Sequence, residues 1–389
     1  MAIWHYLKFM TIHLMGLYAV VVITLGQEYI VYGYLLWTIF YIGGDGILGD
    51  DTSTPEYKYP KLLTWQLWLA LPLLCLITFV FCWHFAPTDI ANYGYIVEQL
   101  TGYNANAAKS ATPWYANLVL CVFVGFVIGV IGTVTGHELI HRLNDKISLT
   151  IGRWLLAFSF DANFSIEHVF GHHRHVSTDI DPASAPRGRN VYQHIWRSTI
   201  DGNISAWRIE QHRLAKRKQA LFSVHNQALR GYAMSLLLVV IVSMLTSWQG
   251  LAFFVITALW AKATLEIVNY MEHYGLVRER GTRVQAYHSW NTNKLVSSWS
   301  LFNLTRHSHH HAKAQVKYQD LKPYQDAPMM ISGYLFTVTI AMIPPLWHKL
   351  MIPKLKAWDC EFASEAEKVL ADKANQQTGM AAYMAMHAS

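Results

Sequence analysis

The chain has 389 residues, of which 53% are hydrophobic and 14% charged, and its formal net charge is +6. Such an apolar composition excludes most classes of soluble globular protein and makes a membrane protein the first class to test. The four cysteines, Cys75, Cys82, Cys121 and Cys360, stand far apart with no CxxC pair, which argues against a disulfide framework and against a thiolate metal site.

Uncharged apolar runs close to the roughly 20 residues needed to cross a bilayer recur along the chain. They predict six transmembrane helices, near residues 9–25, 29–48, 62–86, 114–136, 231–248 and 251–271. The last run contains Lys262 and Glu266 one helical turn apart, an arrangement that favours a neutralising pair within the bundle. A further apolar stretch near 331–347 is broken by Pro344 and Pro345, which predicts a helix at the interface rather than a span.

These runs predict an all-α membrane protein with one membrane-embedded domain over residues 1–360, followed by a polar, alanine-rich tail or linker over 361–389. Lys and Arg are concentrated between the fourth and fifth runs, with a basic cluster at 213–218, whereas residues 88–112 contain only Lys109. Because positively charged loops stay in the cytoplasm, this connection and the region after the sixth run predict a cytoplasmic cap.

Most of the 20 histidines fall in this cap or in the helix ends that lead into it. In the first cluster, His137 and His141 are four residues apart, so on a helix they share a face and can bind one metal ion. In the second cluster, α-helical geometry predicts that His168 and His172 face one way, while His173 lies about 100° further round and points elsewhere.

A third cluster and a histidine at the end of the sixth run complete the set. On a helix, His307 shares a face with His310 or His311, and the neighbours diverge. Adjacent ligands that point apart suit two metal ions better than one. The nine candidate ligands are His137, His141, His168, His172, His173, His273, His307, His310 and His311. Imidazole binds iron, zinc, copper or nickel, so the residue types leave the metal open, and O2-binding iron is favoured on chemical grounds.

Four segments, in this order along the chain, resemble the alkane 1-monooxygenase family: HELIHR at 137–142, EHVFGHH at 167–173, NYMEHYGL at 269–276 and LTRHSHHHA at 304–312. They are similar to the three histidine boxes and the HYG motif of that family, and the sequence HSWN at 288–291 strengthens the likeness. The resemblance implies an integral-membrane diiron hydroxylase of the bacterial inner membrane. Its nine histidines would bind two irons on the cytoplasmic side.

The resemblance also implies a reaction and its partners. Medium-chain n-alkanes are expected to be oxidised by O2 to primary alcohols, with electrons from rubredoxin and, indirectly, rubredoxin reductase; no nucleic-acid partner is expected. Trp37 matches the position at which a bulky residue closes the substrate channel, and His309 matches a variable position and is expected to be a bystander. Because the CxxC pairs of rubredoxin are missing, the donor is expected to be a separate protein or a module fused in the native protein. The basic cluster at 213–218 is compatible with docking of an acidic rubredoxin or with anionic lipid.

Histidines that bind a metal usually donate their other ring N–H to a carboxylate or a carbonyl. The carboxylates near the boxes that are candidates for this role are Glu138, Glu167, Asp181, Glu266 and Glu272. His175 and His288 are also nearby and are expected to form hydrogen bonds or lie at the surface rather than to bind metal.

Other functions share parts of this pattern. His137 to His141 is a literal HExxH, the zinc motif of metallopeptidases with Glu138 as general base, but that interpretation leaves the other clusters unexplained. A metal transporter would place its site near the bilayer midplane rather than at helix ends. A membrane fatty-acid desaturase or a xylene-type methyl hydroxylase would share the diiron boxes and differ in substrate, and this alternative stays open.

Overall fold

The computed structural model describes residues 3–387. No β-strand forms in that range, and its extended pairing is limited to two isolated bridges, Asp50 with Lys294 and Asn291 with Met329. Six helices are long and apolar enough to cross a membrane, which confirms the predicted all-α membrane fold. Called spans 1 to 6, they are Trp4–Leu25, Tyr29–Ile47, Pro60–Phe85, Trp114–Ile140, Gln227–Leu245 and Trp248–His273.

The other helices lie in the connections and after span 6, and the longest of them, Val191–Lys216, has 26 residues. The connection between spans 3 and 4 contains Tyr93–Thr101 and Ala105–Ser110. The cap, defined here as residues 141–226 and 274–387, contains Lys146–Ala157, Phe164–Glu167, His168–His172, His173–His175, Val191–Lys216, Leu295–Ser300, His307–Ala312, Tyr334–Ala341, Pro344–Glu361, Glu365–Gln377 and Ala381–Met384.

Span 4 continues to Ile140, four residues beyond the end of its uncharged run, so the first histidine cluster begins inside a transmembrane helix. The helix Lys146–Ala157 packs against this end. The two helices come this close because both have glycine at the contact. A Cβ added at Gly136 would lie 3.0 Å from the carbonyl oxygen of Gly152, and one added at Gly152 would lie 3.0 Å from that of Gly136. The first cluster is therefore held on a rigid, closely packed helix end.

Span 6 carries a largely buried cation, Lys262, that is neutralised by two carboxylates. The Lys262 ammonium lies 2.5 Å from the Glu266 carboxylate, which confirms the predicted pair, and 2.6 Å from Asp161 of the cap. Asp161 lies 101 positions from Lys262 in the sequence, so no local pattern predicted this second ion pair. A single ammonium thus serves two buried carboxylates beside the histidine clusters.

The region after the third histidine cluster differs from the predicted interfacial helix at 331–347. Tyr334–Ala341 and Pro344–Glu361 are separate helices that meet at an angle of 117°. Pro344 opens the second helix, at a position where its missing N–H costs nothing. The proline pair therefore starts a helix rather than interrupting one.

The segment for which a tail or linker was predicted, 361–389, is folded over most of its length. Glu365–Gln377 is a helix whose buried residues Glu367, Ala371 and Asn375 are spaced four apart, so they form one stripe against the cap. Tyr383 beyond it is buried as well. The polar composition of the segment concealed this stripe, because two of its three members are polar residues that are satisfied by partners distant in the sequence.

Candidate metal centre

The first histidine cluster behaves as α-helical spacing predicts. His137 lies near the end of span 4, and His141 follows the last helical residue. Their rings are 5.0 Å apart between centroids, and both point to the same group of histidines.

The second cluster lies on a π-helical turn, His168–His172. Hydrogen bonds in a π-helix run from residue i to i+5, so residues five apart share a face. His168 and His173 accordingly point the same way, with their Nε2 atoms 3.0 Å apart, and His172 points to a different set of residues. The predicted divergence of His172 and His173 is confirmed. The rings of His168 and His172 do stack, 5.1 Å apart, but the ligand atoms of the two residues belong to different groups, which α-helical spacing did not predict.

The third cluster occupies the short helix His307–Ala312. His307 and His311 share a face, with Nε2 atoms 3.0 Å apart, whereas the Nε2 atom of His310 lies 3.1 Å from that of His173. The buried Arg306 anchors the start of this helix by donating to the backbone oxygens of Leu321, at 2.6 Å, and Asp51, at 2.9 Å. Neighbouring histidines on one rigid turn therefore point to two different places.

All nine candidate ligands converge into two adjacent groups. The first group consists of His137, His141, His168, His173 and His310. The second consists of two overlapping triads that share His273, namely His172, His273 and His311, and Glu272, His273 and His307. Within each set the candidate ligand atoms lie within 4.8 Å of one another, so each group can hold a metal ion.

The arrangement of ring nitrogens fits a bound cation better than a network of hydrogen bonds. Nε2 atoms face each other at 3.1 Å for His141 and His168, and at 3.3 Å for His172 and His311. A neutral imidazole has one N–H, so facing lone pairs cannot all be satisfied by neighbours. The buried Nε2 of His137 has no hydrogen-bond partner among the described residues. A cation between these nitrogens satisfies them together.

Protonation also favours metal binding. Burial and the neighbouring imidazoles lower the pKa values of His168, His173, His310 and His311 well below the usual value, and burial lowers the pKa of His141 to about 3. These rings are therefore neutral, the form that binds metal. For His172, burial acts to lower the pKa, but the Asp181 carboxylate raises it.

Two of the five predicted carboxylates contact the histidines. Asp181 accepts a hydrogen bond from His172 Nδ1 at 2.9 Å. Glu272 lies 3.3 Å from His307 Nε2 and accepts a hydrogen bond from the Tyr334 hydroxyl at 2.6 Å. Asp181 thus orients a candidate ligand from outside, as outer partners of metal-bound histidines do, while Glu272 reaches the nitrogens themselves.

The other three predicted carboxylates have different partners. Glu138 pairs with Arg142 at 2.9 Å, Glu266 with Lys262, and Glu167 accepts a long hydrogen bond from Ser205 at 3.4 Å. Burial raises the pKa of Glu167, so that side chain favours its protonated form.

The remaining nearby histidines lie outside both groups. The Nδ1 of His309 accepts a hydrogen bond from the Lys322 backbone N–H at 2.8 Å, so this ring faces away from the centre. His175 is half-buried, and His288 pairs with Glu367.

An apolar cavity leads from the middle of the membrane to the histidines. Trp37 lies near the middle of span 2, and His137 lies three residues before the end of span 4. The Trp37 ring is 2% exposed and packs 4.6 Å from Tyr41. The lining includes Trp37, Tyr41, Phe126, Val130, Thr133, Val134, His137, Phe164, His168, Thr264, Leu265, Val268, Asn269, Glu272, Leu301, Leu304, His307, Tyr334, Leu335 and Val338.

Comparison with known proteins agrees with this geometry. The family model described as "Fatty acid desaturase" matches residues 113–333, which contain all nine histidines. Alkane 1-monooxygenase 1 of Pseudomonas aeruginosa is 40% identical over 268 residues, which cover 68% of this chain and 69% of that protein. The chain belongs to the alkane 1-monooxygenase family. Alkane 1-monooxygenase 2 of Alcanivorax borkumensis is also 40% identical, over 61% of this chain and 63% of that protein.

The chain is also similar to a protein with a different name. The xylene/toluene monooxygenase hydroxylase component of Pseudomonas putida is 30% identical over 294 residues, 75% of this chain and 78% of that protein. Membership of the alkane 1-monooxygenase family therefore fixes the scaffold and the histidine set more firmly than the substrate.

Several residues of this alkane 1-monooxygenase family member escaped the sequence analysis. Arg306 stands directly before the third cluster, and its complete burial had no sequence signal. Tyr334 reaches Glu272 across 62 residues, and Asn269 both lines the cavity and donates to Glu266 at 3.0 Å. Asn269 lies in the NYMEHYGL segment, four residues before His273, so helical spacing could have placed it on the same face as that histidine.

Proposed function

We propose that this protein hydroxylates the terminal carbon of medium-chain n-alkanes at a histidine-bound diiron centre. One oxygen atom of O2 enters a methyl C–H bond to give a primary alcohol. The other oxygen leaves as water, using two electrons and two protons.

The observation that carries the proposal is the cavity between Trp37 and the two histidine groups. An alkane offers no polar handle, so its terminal carbon can be selected only by a narrow apolar channel that presents one end. The aliphatic and aromatic lining of the cavity meets this requirement, and its position among the spans gives access to substrate dissolved in the bilayer.

Iron bound in the two groups would supply O2 binding and the oxidising equivalents. The residues of this chain provide the placement. Five histidines form one site and four histidines with Glu272 form the other, while Asp181 orients His172. The cavity wall excludes water from the methyl group, and His137, His168 and His307 border the place where that group would stop.

For the electron donor we propose rubredoxin, reduced by rubredoxin reductase. A wide cleft in the cap supports this assignment, because its lining includes Asp181, the residue that contacts His172. Arg189, Arg208 and Lys373 line the same cleft and are suited to an acidic carrier. The exposed basic stretch at 216–218 is a second surface at which an acidic carrier could dock.

We further propose that the protein resides in the bacterial inner membrane with its cap in the cytoplasm. The excess of Lys and Arg in the connection between spans 4 and 5 supports this orientation. A cytoplasmic cap would also bring the cleft to the compartment that contains reduced electron carriers.

A second candidate function is methyl hydroxylation of xylene-type substrates or fatty-acid desaturation. Two similarities support this candidate. One relative is named as a xylene/toluene monooxygenase component, and the matching family model is described as a fatty acid desaturase. Feeding octane, a fatty acyl substrate and xylene separately, and identifying the products, distinguishes these possibilities.

The decisive experiment is turnover of an n-alkane by the purified protein with rubredoxin, rubredoxin reductase and NADH. We expect the primary alcohol as product and two irons per chain by metal analysis. One zinc per chain, or no alcohol from any n-alkane while another substrate is oxidised, would overturn the proposal.

A further inference from the structure

The segment 285–291 lies along the end of span 6, beside the candidate ligand His273. The Trp290 backbone N–H donates to the Glu272 backbone oxygen at 2.8 Å, and the Trp290 indole N–H donates to the Tyr274 backbone oxygen at 3.0 Å. Between these two bonds, His273 Nδ1 donates to the backbone oxygen of His288 at 3.4 Å. The segment therefore contacts three consecutive residues and faces the ring of the middle one.

The His288 side chain fixes this segment from the other side. The Gln285 backbone N–H donates to His288 Nδ1 at 3.0 Å, so Nδ1 is the acceptor and Nε2 carries the proton. His288 Nε2 donates in turn to Glu367 Oε1 at 2.7 Å. His288 is 1% exposed and Glu367 is 4% exposed, so water does not compete for this hydrogen bond.

Glu367 is itself held at its second oxygen. Glu367 Oε2 accepts hydrogen bonds from the Ser364 backbone N–H at 3.0 Å and from its hydroxyl at 2.9 Å, which cap the helix Glu365–Gln377. The far end of this helix is anchored independently, because Asn375 accepts from Arg187 at 2.8 Å. The carboxylate is thus a fixed point in the fold, separate from the other anchor of its helix.

We propose that Glu367 is a positioning residue of the metal centre. Through the His288 imidazole it fixes the carbonyl group that accepts from His273 Nδ1, and so it aims His273 Nε2 into the second histidine group. The inference rests on the proposed function, because it requires His273 to bind metal. Asp181 orients His172 directly, whereas Glu367 acts on His273 through one intervening residue.

The test uses the full-length protein in detergent, loaded with ⁵⁷Fe(II) and examined by Mössbauer spectroscopy, with iron release to a chelator followed in parallel. In the unaltered protein we expect two iron environments. In Glu367→Ala we expect only one of them to change, with roughly tenfold faster release of one iron, since loss of an outer partner typically costs 10- to 100-fold in metal affinity. Glu367→Gln keeps an acceptor oxygen and is expected to retain the original spectrum.

Asn375→Ala is the matched control, because it loosens the same helix without touching His288. We expect its spectrum and iron release to match those of the unaltered protein. Equal changes in the Asn375 and Glu367 variants would show that only helix docking matters and would overturn the proposal. An unchanged Glu367→Ala spectrum would overturn it as well.

Two further outcomes are informative. If Glu367→Ala fails to accumulate, Ser364→Ala, which frees the second carboxylate oxygen, is expected to alter the same single iron environment, and no alteration would contradict the proposal. If the unaltered protein does not bind two irons, the proposed function fails along with this inference. If the unaltered protein binds two irons but Glu367→Ala changes neither iron environment, this inference fails and the proposed function stands.

Discussion

Trp37 is buried in the cavity wall within span 2, away from the histidine groups. It is therefore the side chain best placed to set the length of the cavity. Replacement by Ala should extend the cavity beyond the indole. Each additional methylene that becomes buried contributes about 0.8 kcal/mol, or roughly fourfold in kcat/KM. We therefore expect Trp37→Ala to accept longer n-alkanes, as measured by the alcohols formed from a substrate series.

Trp65→Ala is the control for this substitution, because Trp65 is 55% exposed on span 3 and does not line the cavity. Its chain-length preference should not change. A Trp37→Ala variant with the original preference would remove this side chain from the channel.

His273 belongs to both triads of the second group, so its loss should disable that group while leaving the first group complete. We expect His273→Ala to lose alkane turnover by at least about two orders of magnitude, given the outer-partner losses of 10- to 100-fold as a lower guide. The bound iron should fall from two to one per chain. His309→Ala, on the same cap but outside both groups, should retain both irons and turnover. Full activity of His273→Ala would contradict the assignment.

At the scale of helices, Lys262 of span 6 is the cation on which two buried carboxylates depend. Removing one member of a buried charged set typically costs about 3–5 kcal/mol, because the remaining charges stay unpaired. We expect Lys262→Met to lower the midpoint of thermal unfolding in detergent markedly, and Lys262→Arg to lower it little. A triple variant that also carries Asp161→Asn and Glu266→Gln should recover much of the loss. Equal midpoints for Lys262→Met and the unaltered protein would show that the set is not structural.

Hydropathy predicted six spans because a bilayer requires about 20 apolar residues in a row, and this requirement is local in sequence. The nine histidines were predictable for a similar reason, since they cluster in short motifs. Their division between two groups was not, because the π-helical turn His168–His172 depends on tertiary packing rather than on composition. The contact of Glu367 with His288 spans 79 residues and has no periodic signal, so the polar composition of the C-terminal segment predicts a tail where a docked helix forms.

At the scale of the whole molecule, the histidine groups border the apolar cavity among the spans and, through Asp181 beside His172, the cleft of the cap. Buried contacts tie the connection between spans 2 and 3 to span 1 and to the cap. Asp51 pairs with Lys8 of span 1 at 2.8 Å, and its backbone oxygen accepts a hydrogen bond from Arg306 of the cap at 2.9 Å. These contacts fasten the cap to the spans near the start of the chain, whereas the helix Glu365–Gln377 joins parts of the cap to one another through His288 and Arg187.

The orientation of this assembly can be tested with a native cysteine. Cys360 is exposed on the cap, Cys82 and Cys121 are buried, and Cys75 is exposed within span 3, where the bilayer would shield it from a polar reagent. A membrane-impermeant maleimide should label Cys360 in inside-out vesicles and leave it unlabelled in intact spheroplasts. In a Cys360→Ser background, a cysteine introduced by Thr101→Cys, on the opposite side, should show the reverse pattern. Labelling of Cys360 in intact spheroplasts would place the cap outside the cytoplasm.

The π-helical turn of the second cluster makes this part of the chain intolerant of changes in length. A helix on the surface can lose a residue and turn its remaining residues by about 100° without harm. Here, deletion of Val169 would restore ordinary α-helical winding and bring His173 to four residues after His168, the spacing that shares a face, while His172 would follow His168 by only three residues and turn away from the second group. Natural variants of this segment should therefore exchange residues freely at the half-buried and exposed positions 169 and 170 but keep the spacing of five between His168 and His173.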